Sequence, residues 1–139
     1  MPDSNDRKTL LLTGASRGIG REIALLFAQE GAKLVLTARN EALLNELAAH
    51  IQKISGEAPM VFALDVKDSE KVEEMAAKAL DKYHRLDILV NNAGVTRDGL
   101  LLRMADEDWD EVLDTNLKGA FCCMRVVAVP FSWPSSRTE

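Results

Sequence analysis

Residues 13–20 read Thr-Gly-Ala-Ser-Arg-Gly-Ile-Gly, between a short apolar run and a segment of helical periodicity. A turn in that position gathers free backbone amides and the positive end of a helix dipole at one spot, which makes an anion cradle. Gly14 permits a tight turn, Gly18 lets the backbone come close to a pyrophosphate, and Gly20 lets the helix approach the strand with no side chain between them. Gly14, Ser16, Arg17, Gly18, Ile19 and Gly20 are therefore the candidate contacts to a dinucleotide. Glycine by itself says little, because any tight strand-to-helix turn favours it. The flanking strand and helix are what raise the pattern to a nucleotide signal.

Where an NAD site carries an acid to hold the adenosine ribose, this chain has Thr37-Ala38-Arg39-Asn40. Arg39 would pair with a 2′-phosphate, and Arg17 in the glycine turn can reach the same group. NADP(H) is favoured over NAD(H) on that ground, the alternative being two solvated surface arginines. Asp65 can accept from an adenine amino group while Val66 packs on the ring; the competing reading of Asp65 is a helix cap. Asn91, Asn92, Ala93 and Gly94 follow a further strand at its carboxyl end, where open α/β sheets bind ligands, although such residues also make ordinary turns. Asn116 falls on a helical stripe with Trp109, Leu113 and Ala120, so its amide must find partners inside the protein, and on the residues alone it reads first as a structural core asparagine. Spacing indicates no carboxylate or hydroxyl partner for His50 or His84. Asp106-Glu107-Asp108 reads as a helix-start charge cluster rather than a metal site.

These groups need elements to hold them. Strands are expected at residues 9–12, 33–38, 60–64 and 87–90, alternating with helices at 21–30, 41–54 and 69–83. In the second helix Leu43, Leu44, Leu47, Ala48, Ile51 and Ile54 share one face; in the third, Val72, Met75, Ala76, Ala79 and Leu80 do. After a loop at 96–99, one long helix runs from about Asp106 through Met124 and stops at Pro130, which has no amide hydrogen to donate. Such alternation predicts a parallel sheet with helices on both faces, an α/β architecture of Rossmann type. The expected organisation is a polar segment at 1–8, a partial dinucleotide-binding unit at 9–129, and a divergent, disordered tail at 130–139.

Composition narrows the partners. The chain has 139 residues, is 47% hydrophobic and carries a formal charge of −5, with its lysines and arginines scattered. No basic face is expected to draw nucleic acid or anionic lipid. There is no apolar run of about 18 residues, so a cytoplasmic protein without membrane contact is expected. Cys122 and Cys123 lack metal-ligand spacing and read as reduced core thiols; no metal is expected.

Taken together, the motifs resemble the short-chain dehydrogenase/reductase family. Its cofactor turn has the form Thr-Gly-x-x-x-Gly-x-Gly, as at residues 13–20, and Asp65-Val66 is similar to its adenine-contacting pair. Asn91-Asn92-Ala93-Gly94 resembles its Asn-Asn-Ala-Gly signature, and Asn116 resembles the helix asparagine of its catalytic tetrad. The likeness covers roughly residues 9–128. The run from Gly94 to Leu100, with Met104 and Trp109, looks most like the 3-oxoacyl-[acyl-carrier-protein] reductases of fatty acid biosynthesis. The resemblance implies sheet order 3-2-1-4, an NADP(H) cofactor, and reduction of a 3-oxoacyl thioester or similar carbonyl.

It also implies a catalytic tyrosine, a lysine four residues later and a serine on the preceding strand. The sole tyrosine, Tyr83, is followed four residues on by Asp87, and the likeness fades near Ala128. Of the tetrad only Asn116 is matched, so the chain alone is expected to be inactive, its second half replaced through a frameshift, a misassigned gene end or an alternative exon. Two other outcomes stay open: a non-catalytic module pairing with full-length subunits or with itself through the 106–128 helix, or a non-functional truncation product. The open sheet edge and the bare helix face are expected to favour self-association.

Overall fold

The computed structural model describes residues 7–95 and 97–128. The expected polar segment up to residue 6, Thr96 at the start of the expected loop, and the tail with its Pro130 stop lie outside the described residues.

Strand β1 (Thr9–Thr13) is buried along its whole length. It is central, pairing in parallel with β2 (Lys33–Ala38) on one side and β4 (Ile88–Val90) on the other. Strand β3 (Met60–Ala63) extends the sheet beyond β2, giving the order β3-β2-β1-β4, all parallel. A strand covered on both faces needs apolar residues in succession rather than alternation, and Leu10-Leu11-Leu12 supplies them. Successive side chains then serve opposite layers. Leu10, Leu12, Leu34 and Leu36 pack under α1 (Gly18–Gln29) and α2 (Glu41–Ser55). Leu11 and Val35 pack on the other face with Val72, Met75 and Ala79 of α3 (Ser69–Tyr83).

Helix ends follow from local chemistry. Asn40 caps α2 by accepting from the Leu43 amide, and α2 closes on Gly56 at φ +77°. Asp68 caps α3 through the Lys71 amide, which removes the cap reading of Asp65. Helix α1 begins at Gly18, three residues before the expected start, so that two of the turn's glycines lie in its first turn. Acidic Asp106, Glu107 and Asp108 occupy the first turn of α4 (Asp106–Leu113), as the dipole favours.

The expected single long helix is a correction. Helix α4 passes into a π-helical segment, Asp114–Lys118, and then into α5 (Gly119–Ala128). The side facing the sheet is also not the expected one: Thr115, Gly119, Cys122, Cys123 and Val127 are buried, whereas Trp109 is 59% and Leu113 39% exposed. Small residues take the inner side because α5 lies so close to the loop after β3 that a Cβ on Gly119 would sit 2.5 Å from Cγ2 of Val66. Both cysteines are free and buried against α3, and burial pushes the Cys123 thiol up to about 11.

Candidate functional site

A cleft of about 310 Å³ opens at the carboxyl ends of the four strands. From the glycine turn it is lined by Gly14, Ser16 and Arg17, from the end of β2 by Arg39, and from beyond β3 by Asp65 and Val66. Asn92, Ala93 and Gly94 after β4 form its remaining wall. These residues lie up to 80 positions apart in sequence, counting Gly14 to Gly94, and the parallel sheet brings them together.

The turn and the β4 loop are locked to each other. Thr13 Oγ1 accepts from the backbone amides of Asn92 at 3.0 Å and Ala93 at 2.9 Å. Asn92 Nδ2 donates to the Gly14 carbonyl at 3.1 Å, and the Ala15 amide donates to the Thr37 carbonyl at 3.1 Å. Asn92 therefore lines the cleft with a side chain already committed to bracing the turn. Gly14 stands at φ +63°, and a Cβ there would come within 2.9 Å of the Ala93 backbone. A Cβ on Gly20 would overlap the Gly14 carbonyl oxygen and approach Asn92 Nδ2 to 2.6 Å. Gly20 thus serves turn-to-turn contact rather than helix-to-strand approach alone. Gly18 differs: at φ +60° it has no atom within 4 Å of a Cβ position, so its backbone faces open space.

Arg17 and Arg39 are exposed, and neither guanidinium is paired with a described residue. No carboxylate stands at the end of β2 to oppose an anion there. Asp65, half-buried, accepts from the Lys67 amide at 3.1 Å and pairs with Lys67 Nζ at 3.7 Å, holding the loop after β3. Ile19, 73% exposed, and Gly18 border a separate open groove on α1 with Ile23 and Leu26.

Asn116 stands beside the cleft rather than in its lining. Its Oδ1 accepts from the Val95 amide at 2.8 Å and its Nδ2 donates to the Val95 carbonyl at 2.9 Å, a reciprocal clamp between the π segment and the β4 loop. The residue is exposed overall, so the expected interior burial is corrected; a neighbouring backbone, not the core, satisfies its amide. π-Helical turns of this kind recur where a helix must aim side chains at a site.

The sequence reading missed Asn40, Leu43, Leu64, Val95 and Thr115, which also line the cleft. Asn40 carries a legible signal as an N-cap following a strand; Thr115 is marked only by its place beside Asn116. Tyr83 is remote, 5% exposed in the core, with Lys33 Nζ 5.6 Å and Lys82 Nζ 5.4 Å from its ring centroid. Burial raises its pKa, assisted by Glu57. Lys33 begins β2, so this phenol lies at the end of the sheet away from the cleft. His50 approaches Arg21 Nη2 at 3.3 Å, also outside the cleft. Among the described residues no cluster of three metal-ligating side chains forms, and no helix is long and apolar enough to cross a membrane.

Comparison with known proteins agrees with this geometry. The family model for short chain dehydrogenase matches residues 8–136. The chain is 44% identical over 124 residues to the 3-oxoacyl-[acyl-carrier-protein] reductase FabG of Thermotoga maritima, covering 89% of this chain and 50% of that protein. It is 46% identical over 119 residues to the 3-oxoacyl-[acyl-carrier-protein] reductase of Synechocystis, covering 85% of this chain and 48% of the relative. Among solved structures, an alcohol dehydrogenase from the archaeon Thermococcus sibiricus complexed with 5-hydroxy-NADP superposes with a TM-score of 0.86 at 32% identity, over 91% of this chain and 54% of that one. A short-chain dehydrogenase from Streptomyces avermitilis gives 0.81 at 31% identity, over 91% and 45%. The chain spans about half the length of the relatives it matches.

Proposed function

The chain belongs to the short-chain dehydrogenase family, and from that premise we propose that residues 9–129 form the NADP(H)-binding portion of an oxidoreductase that reduces a 3-oxoacyl thioester or similar carbonyl to the hydroxyl. The observation that carries the cofactor reading is the cleft that gathers Gly14, Ser16 and Arg17 of the turn with Arg39 after β2 and Asp65 and Val66 after β3, both arginines unpaired among the described residues and no acid at the end of β2. Backbone amides of the turn would hold the pyrophosphate, and Arg17 and Arg39 would neutralise a 2′-phosphate. Asp65 would accept from the adenine amino group while Val66 and Leu64 cover the ring. Gly14 and Gly20 keep the turn in place, Ser16, Ala93 and Gly94 complete the walls, and Ile19 stands outside them on the α1 groove. When bound, the nicotinamide supplies a hydride. Asn116 holds the β4 loop through Val95 and so shapes the side of the cleft next to where a carbonyl would be reduced.

No tyrosine or Tyr-x-x-x-Lys pair faces the cleft, and the chain by itself is expected to bind without turnover. Titrating the purified chain with NADPH and NADH by calorimetry tests the reading. The expected result is preferential NADPH binding, with Arg39→Ala losing roughly 10-fold for NADPH and little for NADH, the size of one charge-assisted contact. Equal affinity for both coenzymes would refute the arginine assignment. A second reading, pairing with a full-length relative or with itself, is favoured by the exposed row of Leu117, Phe121 and Met124 on the outer side of the 106–128 segment. Sedimentation of the chain alone as a monomer up to high concentration, with no heterodimer formed on mixing, would exclude it.

A further inference from the structure

The helix wall of the cleft carries a polar group that the reading above leaves unused. Thr115 lines the cleft, is only 6% exposed, and its Oγ1 is buried with no hydrogen-bond partner. Thr9 has a similarly unpaired hydroxyl, but it lies at the first residue of β1, away from the cleft. A threonine on regular helix usually returns its hydroxyl to a carbonyl one turn back. Thr115 sits in the π segment and makes no such bond. Buried hydroxyls are rarely left so, and one that borders a ligand cleft is a recognition group waiting for an acceptor.

Its place indicates which part of a ligand it meets. Thr115 is one turn before Gly119, whose Cβ would lie 2.5 Å from Cγ2 of Val66. It also adjoins Asn116, whose Oδ1 would be 3.1 Å from a Cβ on Gly94. Thr115 is thus set between the Val66 and Gly94 walls, on the side where the base of a dinucleotide would rest. We infer that Thr115 is a further binding residue whose hydroxyl donates to a ring nitrogen of the purine base, completing with the acceptor Asp65 a donor and acceptor pair that selects adenine. The inference rests on the dinucleotide reading of the cleft. Because Oγ1 is screened before binding, engagement proceeds by a turn about χ1, within the two rotamers that threonine populates on helical backbone.

The test uses the full chain with Thr115→Val, which keeps the shape and removes the hydroxyl, and Thr115→Ser, which keeps the hydroxyl. Calorimetric titration with NADPH and with 2′-phospho-ADP-ribose should show Thr115→Val weakened about 10-fold for both ligands, a loss typical of one hydrogen bond. Thr115→Ser should stay within about 3-fold of the parent. Without ligand, Thr115→Val should melt at the same temperature or higher, since an unpaired buried hydroxyl has been removed. A merely structural threonine would instead lower the melting temperature and leave affinity unchanged. Parent-like affinity in Thr115→Val, or a loss confined to NADPH, overturns the inference while the dinucleotide reading survives. Failure of the parent chain to bind either ligand overturns both.

Discussion

Three glycines can separate the proposed phosphate cradle from ordinary turn chemistry. Gly18 and Gly56 share a left-handed backbone, at φ +60° and +77°, and neither has an atom within 4 Å of a Cβ position. Alanine at either therefore incurs only the left-handed backbone cost of about 1–2 kcal/mol. With a urea slope of about 2 kcal/mol per molar, both variants should unfold at a midpoint lower by roughly 0.5–1 M. Neither residue lines the cleft, but Gly56 closes α2 whereas Gly18 directly follows Arg17 of the lining, so Gly56→Ala should bind NADPH like the parent. In Gly18→Ala the added methyl would stand next to the turn amides beside Arg17 that the proposal assigns to the pyrophosphate. Losing one amide contact to a charged oxygen, worth about 1.5–3 kcal/mol, weakens binding roughly 10- to 100-fold. Gly20→Ala is different again, because its Cβ would strike the Gly14 carbonyl and Asn92; the backbone must move, and stability should fall by more than in the other two variants. Affinity is read calorimetrically in buffer where all variants remain folded, stability by urea titration. If Gly18→Ala and Gly56→Ala show equal stability loss and equal affinity, the open face of Gly18 holds no phosphate and the cradle assignment fails.

Asn116→Ala removes both bonds to Val95, and a loss of about 1–2 kcal/mol in urea unfolding is expected, with Asn116→Asp at neutral pH nearly as costly because a carboxylate cannot donate to the Val95 carbonyl. Burial pushes the Asp87 carboxyl up, yet bonds from Arg85 and the Thr9 amide, with the charges of Arg85 and Lys8, outweigh it and hold its pKa below the usual value. Its stabilisation is therefore present above the unfolded carboxylate pKa of about 3.9 and is lost as pH falls through the lower folded value; Asp87→Asn should be less stable at pH 7 and show a flatter acid limb in urea midpoints measured against pH. With its pKa near 11 and its side chain buried, Cys123 should resist a thiol-specific chromogenic reagent at pH 8 until urea unfolds the chain, and stoichiometric native labelling would contradict the packing of α5 on α3.

Where propensity, apolar spacing and caps agree, the sequence was easy to read. Lys33–Ala38 and Ser69–Tyr83 have the expected boundaries, one a continuous β-rich run and the other an amphipathic helix introduced by Asp68. The cleft was legible because its main residues follow strands at their carboxyl ends, a relation that depends on topology alone. Two features were hidden for identifiable reasons. The first turn of α1 contains Gly18 and Gly20, poor helix formers: Gly18 enters the helix at φ +60°, and Gly20 is set close against the Gly14 carbonyl and Asn92. Periodicity also places apolar residues on a helix without saying which side faces inward. Trp109, Leu113, Leu117 and Phe121 make a regular stripe, but the close approach of Gly119 to Val66 admits only small side chains within. The run Gly119, Ala120, Cys122, Cys123 was the available signal that this side, not the bulky one, meets the sheet.

The two motifs at opposite ends of the β1-to-β4 segment form one mechanical part. Thr13, at 1% exposed, gives its hydroxyl oxygen to two amides of the β4 loop; Asn92 returns a bond to Gly14; and Gly14 and Gly20 each lack the Cβ that would prise those backbones apart. The shape of the turn, to which the proposal assigns the pyrophosphate, is thus maintained by the loop after β4 as much as by the glycines. Asn116 extends the same bracing outward by fixing Val95 to the π segment, so the helix that carries Thr115 is tied to the loop that carries Gly94. A cleft built this way is held in shape by backbone and amide contacts that do not titrate near neutral pH. In the proposed reading, the charges of Arg17 and Arg39 at its rim would select among anionic ligands without also having to hold the fold together.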